Sequence, residues 1–369
     1  MVGSAIAKDL STAFQVTSID KSERNLEMLS QTHPSVITRK ADLQQYDQYP
    51  EWLAGADWVI TAVPGFMGYR ALEAVIAAGK SGVDISFFPE NALQLHGAAQ
   101  KAGVTIITDC GVAPGMSNLV LGRYNELMKV KRFACYVGGL PVERKPPFQY
   151  KAPFSPVDVL EEYTRPARLK ENGQLITKPA LSDRELIHFD RTGPLEAFNT
   201  DGLRSLIYTM PHIPDMFEKT LRYPGHIELI IALQQAGFFG TRPVAVGHQL
   251  VKPLDLTTTL LLDQWKPEPR EREFTVMRIV MEAQEKHVEY NLYDEYDVAS
   301  GISSMARTTG YTCAAALHVL NNNLFSEKGV FPPERLGKDE VCFEFILQYL
   351  RERNVNWEMT ELPAGSVPA

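Results

Sequence analysis

The strongest constraint on this chain is the order of its N-terminal third, where short β-rich runs alternate with helical ones. Met1–Thr12 is small and apolar at helical spacing, Phe14–Asp20 alternates, and Ser22–Gln31 reads as a helix. Val36–Lys40 and Trp58–Val63 are strands, and Tyr69–Ala78 is a helix closed by Gly79. Ser81–Ile85 and Val104–Thr108 are further strands, with a helix over Asn91–Ala102 between them. Strands separated by helices of such length cannot pair as hairpins. They imply a parallel, doubly wound sheet.

Beyond about Leu119 the pattern changes. A helix from Ser117 towards Met128 leads into a strand at Phe133–Gly138, then into the Pro- and Gly-containing stretches Gly139–Pro147 and Lys151–Pro156. Glu185–Phe189 and Glu196–Asn199 are β-rich, and Phe274–Glu282 and Lys286–Asp294 form a hairpin through Ala283–Glu285. Ser303–Leu320 is a small-residue helix suited to tight packing against the first part. The expectation is an α/β protein: a Rossmann-type sheet over 1–118, completed by helices from about 300–350, with an inserted mixed α/β unit over 119–299 that binds substrate and dimerises.

The first part carries half of a dinucleotide fingerprint. Gly3 stands where the third glycine of Gly-x-Gly-x-x-Gly lets helix and strand pack closely, and Asp20 ends the next strand 17 residues later. A carboxylate there can accept from both ribose hydroxyls and repels a 2′-phosphate, which favours NAD over NADP; Lys21 and Arg24 stand nearby. The strand and the two glycines expected before Gly3 are missing. That points either to a start assigned inside the motif or to a relative with weakened cofactor binding. Val2, Asp42 and the strand-end run Ala62-Val63-Pro64-Gly65 complete the expected cofactor set.

Composition excludes other classes. A net charge of -8 disfavours a nucleic-acid binder, and no apolar run approaches the roughly 20 residues that span a bilayer. The four cysteines are far apart, as free thiols in a cytoplasmic protein would be. No histidine joins a Cys or carboxylate at metal-ligand spacing, so no metal is expected.

Several motifs in one order, from Val63-Pro64-Gly65-Phe66-Met67-Gly68 through Val83–Asn91 and Asp109–Asn118 to Gly138-Gly139-Leu140-Pro141, resemble the saccharopine dehydrogenase family. Glu161–Arg168, Thr200–Ser205 and Thr220–His226 look like its lysine 6-dehydrogenase branch. The resemblance implies a homodimer that oxidises the ε-amine of L-lysine with hydride transfer to NAD, giving ammonia and a cyclising semialdehyde. Saccharopine or carboxynorspermidine dehydrogenase-type chemistry, or a non-catalytic ligand-binding paralogue, are the alternatives.

Such chemistry needs a proton acceptor for the amine and a clamp for the amino-acid carboxylate. Asp84, Tyr163 and His226 are the catalytic candidates, because Asp84 ends a strand at the carboxyl edge and the other two can shuttle a proton. Arg165, Arg204 and Arg222 offer the planar fork that suits a carboxylate. Asp109, Gly111 and Asp201 complete the expected substrate set.

Overall fold

The computed structural model describes residues 2–154, 156–268 and 270–363. Met1, Ser155 and Pro269 lie outside them, the first two within the expected N-terminal helix and the Lys151–Pro156 stretch.

The chain opens with a helix, Val2–Leu10, followed by strands β1 (Thr17–Asp20), β2 (Ile37–Lys40), β3 (Trp58–Thr61), β4 (Ser81–Asp84) and β5 (Thr105–Ile107). Helices Glu23–Thr32 and Gly65–Ala77 connect them. The first begins where Ser22 Oγ accepts from the Asn25 amide, a serine cap for an otherwise orphan helix donor. Gly65–Ala77 starts a full turn before the expected Tyr69, directly behind Pro64. The expected helix over Asn91–Ala102 is a 3₁₀ turn, Ala92–Leu95, and a short helix, His96–Ala102, ended by left-handed Gly103.

Strands β6 (Arg132–Pro141), β7 (Ala167–Glu171), β8 (Gln174–Lys178), β9 (Glu185–Phe189), β10 (Gly193–Asn199) and β11 (Asp215–Arg222) follow. A small exposed hairpin, β12 (Val244–Val246) and β13 (Gln249–Val251), precedes the long hairpin β14 (Glu273–Glu282) and β15 (Lys286–Glu295). Helix Ser304–Asn321 then returns the chain to the first unit, where β16 (Gly329–Phe331) extends the parallel sheet beside β5. Helix Glu340–Arg351 and β17 (Trp357–Pro363) finish the described chain. The second sheet runs β17-β15-β14-β6-β11-β10-β9, mixed in direction, with β7 and β8 attached through β11.

The parallel strands do not form one sheet. β1 and β2 pair with each other alone, and β16-β5-β4-β3 form a separate sheet. β1 and β3 each present an edge without a ladder partner, and both border the same cleft. Helix Val2–Leu10 sits between the two pieces, packed on Ser304–Asn321. A Cβ on Gly3 would stand 3.6 Å from Ala62 Cβ, so the helix start lies against the end of β3. Among the described residues, β1 and β3 thus stand in separate sheets, with the first helix against the end of β3.

Candidate active site

A single cleft of about 2110 Å³ runs from β1 and β3 to the second sheet. Val2, Gly3, Asp20, Ala62, Val63 and Pro64 line its outer part. Gly111 to Pro114 form its middle, and Tyr150, Asp158, Glu162, Thr200, Glu218, Thr220 and Arg222 line its inner end. The expected nucleotide determinants therefore converge, with two exceptions. Asp42 is turned to an exposed turn, where it accepts from the Gln44 amide. The Gly65 amide donates to Asp158 Oδ1 at 3.3 Å, because a helix start with no side chain lets that carboxylate approach its free N–H groups. A Cβ on Gly65 would lie 3.1 Å from the same oxygen.

The inner end is built on β11. Successive side chains of a strand alternate between faces, so Glu218, Thr220 and Arg222 share one, and all three line the cleft. Arg222 is held by four hydrogen bonds: Nε to Tyr163 Oη (3.0 Å), Nη1 to Leu221 O (3.0 Å), and Nη2 to Tyr150 Oη (3.2 Å) and to Glu162 Oε2 (2.6 Å). A guanidinium has five N–H donors, so one is left for a ligand. Burial pushes the Glu162 carboxyl upward, against the pull of Arg222.

Tyr163 and His226 stand behind Arg222 and not on the cleft. Tyr163 Oη is 2.9 Å from His226 Nε2, and His226 Nδ1 is 2.9 Å from Phe148 O. Burial, then the Arg222 charge, lowers the imidazole pKa to about 3, so the ring is neutral. Its geometry fixes Tyr163, which in turn fixes Arg222.

Asp84 is also walled off. It is fully buried, with Oδ1 accepting from Thr61 Oγ1 at 2.5 Å, and burial raises its pKa to about 7. Asp109 and Arg204 form a buried ion pair, Nε and Nη2 at 3.0 and 2.8 Å from Oδ1, and Arg204 also donates to Phe88 O. Asp201 accepts a two-point contact from Arg168, at 2.8 Å to each oxygen. Arg165 pairs with Glu161 at 3.0 Å and packs over the Phe87 ring. Of the expected substrate and catalytic residues, the cleft thus gathers Gly111 and Arg222; Arg165, Arg204, Asp84, Asp109, Asp201, Tyr163 and His226 are engaged elsewhere.

Sequence reasoning missed Glu218, Glu162 and Asp158. The only signal for Glu218 is the spacing Glu-x-Thr-x-Arg in Asp215–Arg222, which puts the three on one face of a strand. It is visible only once that segment is known to be a strand.

Family models agree with this architecture. One described as the saccharopine dehydrogenase NADP binding domain matches residues 1–107, and one described as the saccharopine dehydrogenase C-terminal domain matches residues 111–355. A saccharopine dehydrogenase [NADP(+), L-glutamate-forming] of Schizosaccharomyces pombe is 29% identical over 194 residues, 49% of this chain and 43% of that protein. An alpha-aminoadipic semialdehyde synthase of Arabidopsis thaliana is 25% identical over 215 residues, 54% of this chain and 20% of that protein. The chain thus spans less than half the length of these relatives. In fold it resembles the apo saccharopine dehydrogenase (L-Glu forming) of Saccharomyces cerevisiae, with a TM-score of 0.79 at 19% identity, covering 98% of this chain and 97% of that one. Among the described residues, no helix is long and apolar enough to cross a membrane.

Proposed function

Because the chain belongs to the saccharopine dehydrogenase family, we propose that it oxidises the side-chain amine of a cationic amino acid, L-lysine first, with a pyridine nucleotide as hydride acceptor. The observation that carries this reading is the cluster of acids at the inner end of the cleft. Asp158, Glu162 and Glu218 line it with Arg222, whose donors are almost all taken. Such a surface attracts an ammonium group and offers little to a substrate with several carboxylates.

Gly3 and Val2 at a helix start, Asp20 at the end of β1, and Ala62 to Pro64 beyond β3 would hold the nucleotide. When bound, it supplies the hydride acceptor. Asp20 supports NAD, since its carboxylate disfavours a 2′-phosphate. NADP is the second reading for the cofactor, because Arg24 and Arg39 line the same part of the cleft. The second reading for the substrate is a saccharopine-type secondary amine, favoured by Lys266 and Arg270 on the cleft wall, which could meet further carboxylates.

Water exclusion falls to the apolar lining around Val112, Phe154 and Met305. The remaining Arg222 donor would hold the substrate carboxylate at one point. A second copy of the chain would cover the exposed apolar side chains Phe238, Val244, Val246, Leu250, Leu256 and Leu260, which crowd the small hairpin and its neighbouring helices.

Absorbance of the reduced nucleotide tests the substrate reading, with L-lysine and saccharopine offered separately with NAD and with NADP. Turnover of lysine well above that of saccharopine is expected. Turnover of saccharopine alone would replace this reading with the second one.

A further inference from the structure

Glu218 stands out among the buried acids because no described residue holds it. It is 7% exposed and lines the cleft. The acids around it each have a cation: Asp109 has Arg204, Asp201 has Arg168, and Glu162 has Arg222. No hydrogen bond from the described residues reaches the Glu218 carboxyl, whereas a structural buried carboxylate is normally satisfied. Room for it is made by Gly202, where a Cβ would lie 1.7 Å from Glu218 Oε1. The chain thus keeps a cavity-facing acid ungripped beside Thr220 and Arg222.

We propose that Glu218 is the proton acceptor of this site, taking a proton from the substrate ammonium so that the neutral amine can lose hydride. This rests on reading the cleft as an amine-oxidising site. The balance is simple. The ammonium N–H bond breaks, and its proton passes to the Glu218 carboxylate. The adjacent C–H bond then breaks, and hydride leaves to the oxidised pyridine nucleotide. Water adds to the resulting iminium carbon, and ammonia departs. Burial, then the charges of Glu162 and Asp201, raises the Glu218 carboxyl to about 8, with Asp109 adding to and Arg204 opposing the shift. From β6, the Cys135 thiol also faces it, in register with Glu218. A base that titrates near the working pH exchanges protons best.

The test is Glu218→Gln in the full chain, with Glu218→Asp as the conservative variant. In protein carrying ¹³C-labelled glutamate, one carboxyl signal titrating near pH 8 should vanish in Glu218→Gln and shift when 1,5-diaminopentane is added to the unsubstituted protein. With L-lysine, Glu218→Gln should lower kcat by about 100-fold or more with KM little changed, and remove the corresponding limb of the pH–rate profile. Glu218→Asp should restore part of the rate and keep that limb. Persistence of the limb in Glu218→Gln would overturn the proposal, as would a Glu218 signal that titrates like an exposed carboxyl and ignores the diamine. If the unsubstituted protein oxidises no lysine, the functional reading fails, and the diamine response alone then decides the role of Glu218.

Discussion

Replacing Arg204 by methionine separates a structural arginine from a substrate clamp. Arg204 and Asp109 are each 4% exposed, and the guanidinium reaches Asp109 Oδ1 through both Nε and Nη2 while lying between the Phe87 and Phe88 rings. Methionine keeps the length and apolar stem but leaves the aspartate unpaired in a dry site. Removing one partner of a buried pair costs about 3–5 kcal/mol. Arg204→Met should therefore lose about 4 kcal/mol and roughly 10 °C in Tm. Adding Asp109→Asn should recover most of that loss, because no charge is then left uncompensated. Urea denaturation followed by circular dichroism measures both variants. If Arg204→Met unfolds like the unsubstituted protein while its KM for the amino acid rises tenfold, the ion pair is not structural and Arg204 belongs to the substrate.

Three further outcomes follow from the geometry. Asp20→Ser should shift nucleotide binding towards NADP by about tenfold, near 1.4 kcal/mol, read by fluorescence titration with both nucleotides; an unchanged ratio would mean that Asp20 does not meet the ribose. Burial raises Glu273 to about 8, so the folded state keeps a proton that the unfolded chain releases. That contribution is fully present below about pH 4.5, is lost as pH rises to about 8, and is flat above. Glu273→Gln should remove up to about 1.4 kcal/mol per pH unit from the slope of stability in that window, and a slope that does not change refutes the assignment. Light scattering should give the unsubstituted protein the mass of two chains, and the pair Leu250→Lys with Leu256→Lys, both at exposed positions, the mass of one, without lowering Tm by more than a few degrees; a one-chain mass for the unsubstituted protein would refute the proposed dimer, and an unchanged two-chain mass would place its interface elsewhere.

Periodicity made the alternating part of the fold legible, because each strand there is a short β-rich run bounded by a turn residue. Asp20 and Ala62 to Pro64 were legible as cleft-lining positions for the same reason: they follow from where β1 and β3 end. The inner site was less so. Arg165, Arg204 and Arg222 are equivalent as sequence, each an arginine in a polar segment. Only tertiary packing gives Arg204 to Asp109, Arg165 to Glu161, and Arg222 to the cleft. Asp84 shows the limit of arguing from strand ends. It does sit at the carboxyl edge, but its side chain turns inward to Thr61. The Glu218 spacing could not be read in advance, because Asp215–Arg222 mixes charged and apolar residues and its strand pairing comes from partners distant in sequence, β6 and β10.

The split parallel sheet raises the question of what holds β1 and β2 in place without a ladder to β3. The answer is the first helix. Val2–Leu10 buries Ile6 and Leu10 in the core shared with Ser304–Asn321. Gly310 permits this contact, since a Cβ there would stand 3.2 Å from Ile6 Cγ1. Beyond the apolar seam, Asp9 accepts from Arg353 Nε at 2.6 Å and from Tyr349 Oη at 2.5 Å, tying the same helix to Glu340–Arg351 and the segment just after it. These anchors come from the C-terminal part of the chain. Asp20 is therefore positioned relative to Ala62 and Pro64 by helix packing and a partly buried ion pair, instead of by strand hydrogen bonds. The outer end of the cleft thus depends on packing between the first helix and the Ser304–Asn321 and Glu340–Arg353 region, and the placement of β1 will respond to changes at Asp9, Gly310 and Arg353, none of which lines the cleft.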